Sequence, residues 1–190
     1  MSVMTISRDV VCERVKVSCL WRAAEVAREW RASHVLSLLD PELPETDVPS
    51  IADVAHRVVR MRDQENAGAT QHFPDLVLDV FEAMRPVADD QSSRILVHCH
   101  AGVSRSTAFA YGLIAHQFGK GREDEAFAAL LTITRKPWPN RRIVEILDAS
   151  LGREGRLLAP LDAMRARYPR RIDAWHRFNL RRGLTAAYSR

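Results

Sequence analysis

The order of apolar segments predicts an α/β fold: a central, mostly parallel sheet of four or five strands, flanked by helices on both faces. Three observations carry that prediction. Short β-branched and apolar runs alternate with stretches of helical spacing as far as residue 118. Beyond residue 98 every apolar pattern is helical. The strand that ends at His98 runs into an apolar helix through the loop Cys99 to Arg105. That puts the loop at the carboxyl end of a parallel sheet, where such sheets bind ligands.

The elements follow in order. Val15 to Cys19 reads as a first strand and Trp21 to Trp30 as a short helix with Ala, Val and Trp on its faces. His34 to Leu39 is a second strand, closed by Asp40-Pro41, and 41–49 is a loop with three prolines. Residues 57–62 read as a third strand. Leu76, Val77, Val80, Phe81 and Met84 then fall at helical spacing within Pro74 to Met84. Residues 94–98 form the fourth strand, without alternation, as a fully buried strand requires. Helices are expected over 106–118, 122–134, 139–150 and 155–168. The first of these is apolar around most of its circumference and should be central.

The run from Val97 to Thr107 concentrates the chemistry. A loop that turns a strand into a helix can aim successive backbone N–H groups at one point, and with the helix N-terminus these favour an anion. His100, Ala101, Gly102, Val103, Ser104 and Arg105 are the candidate anion-binding residues. Gly102 permits a positive φ or a close backbone approach. Arg105 can give phosphate oxygens two parallel hydrogen bonds, a geometry lysine lacks. A thiol in such a field ionises readily, and the thiolate is the nucleophile; Cys99 is placed for that role and Ser106 for a hydrogen bond to its sulfur. An inert buried cysteine would leave the glycine, arginine and serine unexplained. A metal site through His98, Cys99 and His100 lacks a second cluster at ligand spacing, so neither metal nor cofactor is expected.

These residues resemble the His-Cys-x5-Arg-Ser/Thr motif of the cysteine-dependent protein phosphatases, most closely the compact dual-specificity branch. From Val15 to Met164 the chain also resembles a group of small bacterial phosphatase-like proteins, although only the loop is a sharp match. The resemblance implies the protein tyrosine phosphatase fold and a phosphocysteine intermediate. It makes His98 a support for the loop and assigns a general acid to an aspartate on an upstream loop. Asp63 follows the third strand and opens a polar segment with Asn66 and Gly68, which is the required place. Glu65 is its rival; Asp75 reads as a first-turn residue of the next helix. The Trp-Pro-Asp sequence of the larger tyrosine-specific enzymes is absent. Pro139-Asn140 resembles the Pro-Asn of the dual-specificity enzymes, where the Asn braces the phosphate loop; it reads equally as a helix start.

Length and composition set limits. The 190 residues fit one domain with a full core, and 46% hydrophobic with 27% charged residues is ordinary for a globular protein. Cys12, Cys19 and Cys99 make no disulfide framework, and no signal peptide or membrane span is legible, so a cytoplasmic protein is expected. Cys12 or Cys19 could pair with Cys99 on oxidation; burial of Cys19 in the first strand is the favoured role. Residues 1–164 are read as the phosphatase domain and 165–190 as a basic, aromatic helical extension. That extension holds eight arginines and a single acid, Asp173. Docking on its own domain is favoured over nucleic acid or another acidic partner. The expected partner is a phosphorylated protein, phosphotyrosine first, with His100 adding one potential positive charge to the loop. The alternatives are a phospho-residue binding module without turnover, and a phosphatase for a phosphoinositide, nucleotide or RNA end.

Overall fold

The computed structural model describes residues 13–65 and 72–181. Four strands form a wholly parallel sheet: β1 (Val15–Cys19), β2 (His34–Leu39), β3 (Ala55–Arg60) and β4 (Ile95–Cys99). Their order is β1-β4-β2-β3, so the last strand in sequence lies inside the sheet between the first and the second. Cys99 is in register with Cys19 on one side and Leu38 on the other, and His98 with Ser37. All four carboxyl ends therefore open on one rim.

Seven α-helices and two single-turn 3-10 helices (Leu20–Arg22 and Glu45–Asp47) complete the described fold, the α-helices being α1 (Ala23–Glu29), α2 (Phe73–Asp89), α3 (Arg105–Phe118), α4 (Glu123–Ile133), α5 (Arg141–Ser150), α6 (Leu158–Arg167) and α7 (Arg171–Arg181). The larger apolar layer joins alternate strand residues (Val15, Leu36, Leu38, Ile95, Val97, Cys99) to α2 through α6. A smaller layer on the opposite face packs Val35 and Leu96 against Ala27 and Ala32 at α1. Helix α3 is the hub. Phe109, Tyr111, Leu113 and Ile114 are fully buried, and the Tyr111 hydroxyl donates to the Leu157 carbonyl at 3.2 Å.

The third strand begins and ends two residues earlier than its apolar run suggests. It is an edge strand with Val58 exposed, so alternation is a poor guide to its limits. Helix α2 runs on past Met84 and through Pro86 to Asp89. A proline forfeits one helical hydrogen bond; burial of Ala88, whose carbonyl accepts from Arg14 and Gln117, favours continuation. In α7, Trp175 packs on the main core and its indole N–H donates to the Lys136 carbonyl at 2.8 Å, while Ile172, Phe178 and Leu180 remain exposed. Leu184 and Tyr188 of the extension, and Cys12, lie outside the described residues. Among the described residues no helix is long and apolar enough to cross a membrane.

Candidate active site

The loop from Cys99 to Arg105 joins β4 to α3 on the sheet's carboxyl rim. Its shape is set by close backbone packing. Gly102 has φ +70°, and a Cβ there would lie 2.6 Å from the Ser18 carbonyl oxygen, so only glycine lets the loop rest on β1. The carbonyls point away from the centre. His100 O accepts from Leu20 N at 3.1 Å, Val103 O from Trp138 N at 2.9 Å, and Ser104 O from Asn140 N at 3.3 Å. Thr107 Oγ1 also donates to Val103 O and to Ser104 O. Among the hydrogen bonds of the described residues, the N–H groups of Ala101, Gly102, Val103 and Ser104 reach no protein acceptor. This is the backbone arrangement of an anion cradle.

Cys99 is buried, and its Sγ lies 3.2 Å from Ser106 Oγ on the first turn of α3. Arg105 is only 3% exposed. Its Nη1 donates to Asp40 Oδ1 at 2.8 Å and to the Met61 carbonyl. The buried Nε has no hydrogen-bond partner. The Nε–Nη2 edge is thus left for two oxygens of a ligand, the fork that suits phosphate. Burial opposes the Arg105 charge, but the Asp63 carboxylate, the Cys99 sulfur and Asp40 outweigh it and hold its pKa above the ordinary value.

Asp63, Ser104 and Asn140 come together. Asp63 Oδ1 accepts from Ser104 Oγ at 2.8 Å and from Asn140 Nδ2 at 2.7 Å, and Asp63 Oδ2 lies 4.0 Å from Arg105 Nε. Asn140 Nδ2 also donates to the Gln64 carbonyl at 3.0 Å, while its Oδ1 caps α5 by accepting from Ile143 N at 2.9 Å. Glu65 points elsewhere: its carboxylate meets Arg141 N and the Arg165 guanidinium. Asp75 sits in the first turn of α2.

Burial disfavours the charged form of the histidines around the loop. His98 is fully buried behind the loop; its Nε2 shares a hydrogen bond with Ser37 Oγ, which also meets His56 Nε2 at 2.7 Å. Burial pushes the His98 pKa down to about 4. His100 Nε2 accepts from Asp40 N at 3.1 Å, and burial lowers its pKa despite the nearby Asp40 carboxylate. Burial thus works against the positive charge expected from His100.

Asp40 was read from the sequence only as the end of the second strand. It closes β2, and the sheet order brings that end beside Cys99, so one carboxylate fixes Arg105 and approaches His100 at 3.2 Å. Its position as the strand-closing acid on a ligand-binding rim was the available signal. Trp138 was also missed: its N–H holds Val103 O. Cys19 is half-buried beside Cys99 on the adjoining strand. Among the described residues no three His, Cys, Asp or Glu side chains are grouped as a metal ion would need.

Comparison with known proteins gives a consistent result. The protein-tyrosine phosphatase family model matches residues 46–136, a span that contains Asp63 and the whole Cys99 loop. Over 114 residues, 60% of this chain, the sequence is 32% identical to the dual specificity protein phosphatase Mpk3 of Drosophila melanogaster. The match spans only 25% of that relative's length. The human tyrosine phosphatase-like serine/threonine/tyrosine-interacting protein superposes with a TM-score of 0.56 at 19% identity, over 74% of this chain and 92% of that one. Human DUSP28 gives 0.54 at 19% identity, over 73% and 88%. Both structural likenesses are likenesses of fold.

Proposed function

We propose that the chain belongs to the cysteine-dependent protein tyrosine phosphatase superfamily, in its dual-specificity-like branch, and is a metal-independent phosphomonoesterase acting through a phosphocysteine. One observation carries the reading: a buried thiol on a serine hydroxyl, beneath a loop with four unpaired N–H groups and a guanidinium whose Nε–Nη2 edge is free.

The Cys99 thiolate attacks phosphorus, forming an S–P bond as the ester P–O bond breaks. The loop N–H groups and Arg105 stabilise the charge on the equatorial oxygens, the largest contribution expected in phosphoryl transfer. Nη1 is immobilised by Asp40 and Met61 O, so the guanidinium does not have to reorganise as charge develops. Asp63 protonates the leaving oxygen from Oδ2, the oxygen without a hydrogen bond, while Ser104 and Asn140 hold Oδ1. In the second step Asp63 takes a proton from water as water attacks phosphorus. The S–P bond breaks, and Ser106 stabilises the departing sulfur with a hydrogen bond. His98, neutral and anchored on Ser37, supports the loop from behind.

The substrate class is a phosphorylated protein, phosphotyrosine first, and the reducing cytoplasm suits a reactive thiolate. We read residues 1–164 as the catalytic domain and 165–190 as its extension. Phosphate release from phosphotyrosine, phosphothreonine, phosphoinositide and nucleotide substrates, measured with chelator present, tests the class. Cys99→Ser should abolish turnover, by at least about 10⁴-fold, and still bind phosphate. Iodoacetate should alkylate Cys99 selectively at neutral pH, with vanadate or orthophosphate protecting it. A Cys99→Ser protein with residual turnover near wild type would overturn the mechanism.

A further inference from the structure

The residue next in line after the acid and its neighbour is held from the far end of the chain. Glu65 receives three N–H donors. Arg141 N, at the start of α5, donates to Oε1 at 2.9 Å. Arg165, near the end of α6, approaches with both arms: Nη1 donates to Oε2 at 3.0 Å and Nη2 to Oε1. The same Nη2 donates to the Pro139 carbonyl at 2.7 Å, and the guanidinium lies over the Trp138 ring at 4.7 Å from its centroid. One side chain thereby joins three things: the segment that carries Asp63, the Trp138–Asn140 strip that holds the phosphate loop, and the C-terminal helices.

Exposed ion pairs generally contribute little, because solvent screens them and two long side chains must be ordered. This pair departs from that case in its geometry. The Arg165 side chain is 16% exposed and stacked, the contact is a two-armed fork, and the carboxylate is also held by a backbone N–H. Its effect falls on position. Asp63 and the Gln64 carbonyl are tied to Asn140, and Glu65 to Arg141 and Arg165, so all three consecutive residues are pinned to the same helix start. Loss of one anchor frees the end of that strip, and a displacement of about 1 Å at a reacting group can cost ~10²-fold in rate.

We infer that Arg165 and Glu65 form a latch that positions Asp63 over the phosphate loop, making the C-terminal helices part of the reaction's geometry. Both are positioning residues; neither touches the reacting atoms. The inference rests on Asp63 as the general acid.

The test compares Arg165→Met, which keeps the stem over Trp138 and removes the fork, with Glu65→Gln, the double variant, and Asp63→Asn. Each is assayed on a phosphotyrosine peptide, whose leaving oxygen needs a proton, and on difluoromethylumbelliferyl phosphate, whose leaving group hardly does. The latch variants should lose about tenfold or more in kcat on the peptide. They should change little on the activated ester and bind orthophosphate as wild type does. The double variant should be no worse than the poorer single one, since the two residues act as one unit. Should Arg165→Met prove unstable, Glu65→Gln carries the test, because it leaves Arg165 on Pro139 and Trp138. Equal losses on both substrates, additive losses, or wild-type turnover would each overturn the latch. Asp63→Asn separates the two readings. If it shows the leaving-group pattern while the latch variants do not, the latch alone fails; if it turns over the peptide normally, the acid assignment fails first.

Discussion

The loop meets the Asp63 segment through the Ser104 hydrogen bond to Asp63, the Arg105 bond to the Met61 carbonyl and the approach of Arg105 Nε to Asp63 Oδ2 at 4.0 Å, yet the two are held in opposite ways. The loop is part of the core. Its carbonyls are bound by backbone N–H groups of Leu20, Trp138 and Asn140, Gly102 lies against the Ser18 backbone, and Cys99, Val103 and Arg105 are buried. The acid segment lies nearer solvent, with Asp63 and Glu65 both 38% exposed at the side chain. Most of its anchors are groups from Ser104, Asn140, Arg141 and Arg165, far along the chain. The difference separates two kinds of precision. The geometry of Cys99, the proposed nucleophile, cannot change without unfolding cost, whereas Asp63, the proposed acid, can be misplaced in a protein that remains folded. Substitutions in the loop should lower stability and turnover together; those around the acid should lower turnover alone.

The largest expected effect tests the first half of that contrast. In Gly102→Ala the new Cβ would meet the Ser18 carbonyl oxygen at 2.6 Å and its carbon at 2.8 Å, with φ at +70°. Both obstacles are backbone, so neither can rotate away. Strain and overpacking together should cost roughly 2–5 kcal/mol, read as a lower urea midpoint, with phosphate binding and turnover lost in parallel. An alanine variant that melts like the parent would mean the loop is not pressed on β1.

Acidification provides the next largest effect, again on the loop side. Burial holds the folded His98 pKa at about 4, against 6.5 for a free histidine. Between those values the unfolded chain binds a proton that the folded protein refuses, so stability falls as pH drops from 6.5 towards 4. The full shift corresponds to about 3 kcal/mol. His100 and His56 are also lowered by burial and act in the same direction. Urea midpoints measured across this window should decline steadily, and His98→Asn should flatten the decline. A flat profile in the parent protein would mean that His98 is protonated without cost and that its burial behind the loop is wrong.

The contrast also explains what could be read from the chain. Cys99, Arg105, Ser106 and the glycine between them are contiguous, so strand, loop and helix declare one another locally. Asp63 was singled out as a candidate because the resemblance asks for an upstream aspartate and this one follows an apolar run and opens a polar one. Asp40 was not, because it reaches Arg105 only through a sheet order that places β4 between β1 and β2, and alternation of strands with helices does not determine that order. The Glu65–Arg165 pair spans 100 positions and leaves no periodic trace. Edge strand β3 was misplaced by two residues, since with Val58 in solvent its pattern lacks the burial that marks a strand.

Asn140 belongs to both networks, and two substitutions there divide them. Its backbone N–H and Oδ1 serve the loop and the cap of α5; its Nδ2 serves Asp63 and Gln64. Asn140→Ser retains a hydroxyl able to accept from Ile143 N, because serine caps helices about as well as asparagine. It lacks the reach to hold Asp63. Asn140→Ala loses both. The two variants should share a fall of about tenfold in kcat on phosphotyrosine, with little change on an activated ester. Only alanine should also lose about 1 kcal/mol of stability, the contribution of the cap. If serine restored turnover on phosphotyrosine, the cap rather than the carboxamide would be what places the acid, and the division between a core-bound nucleophile and a tethered acid would not hold at this residue.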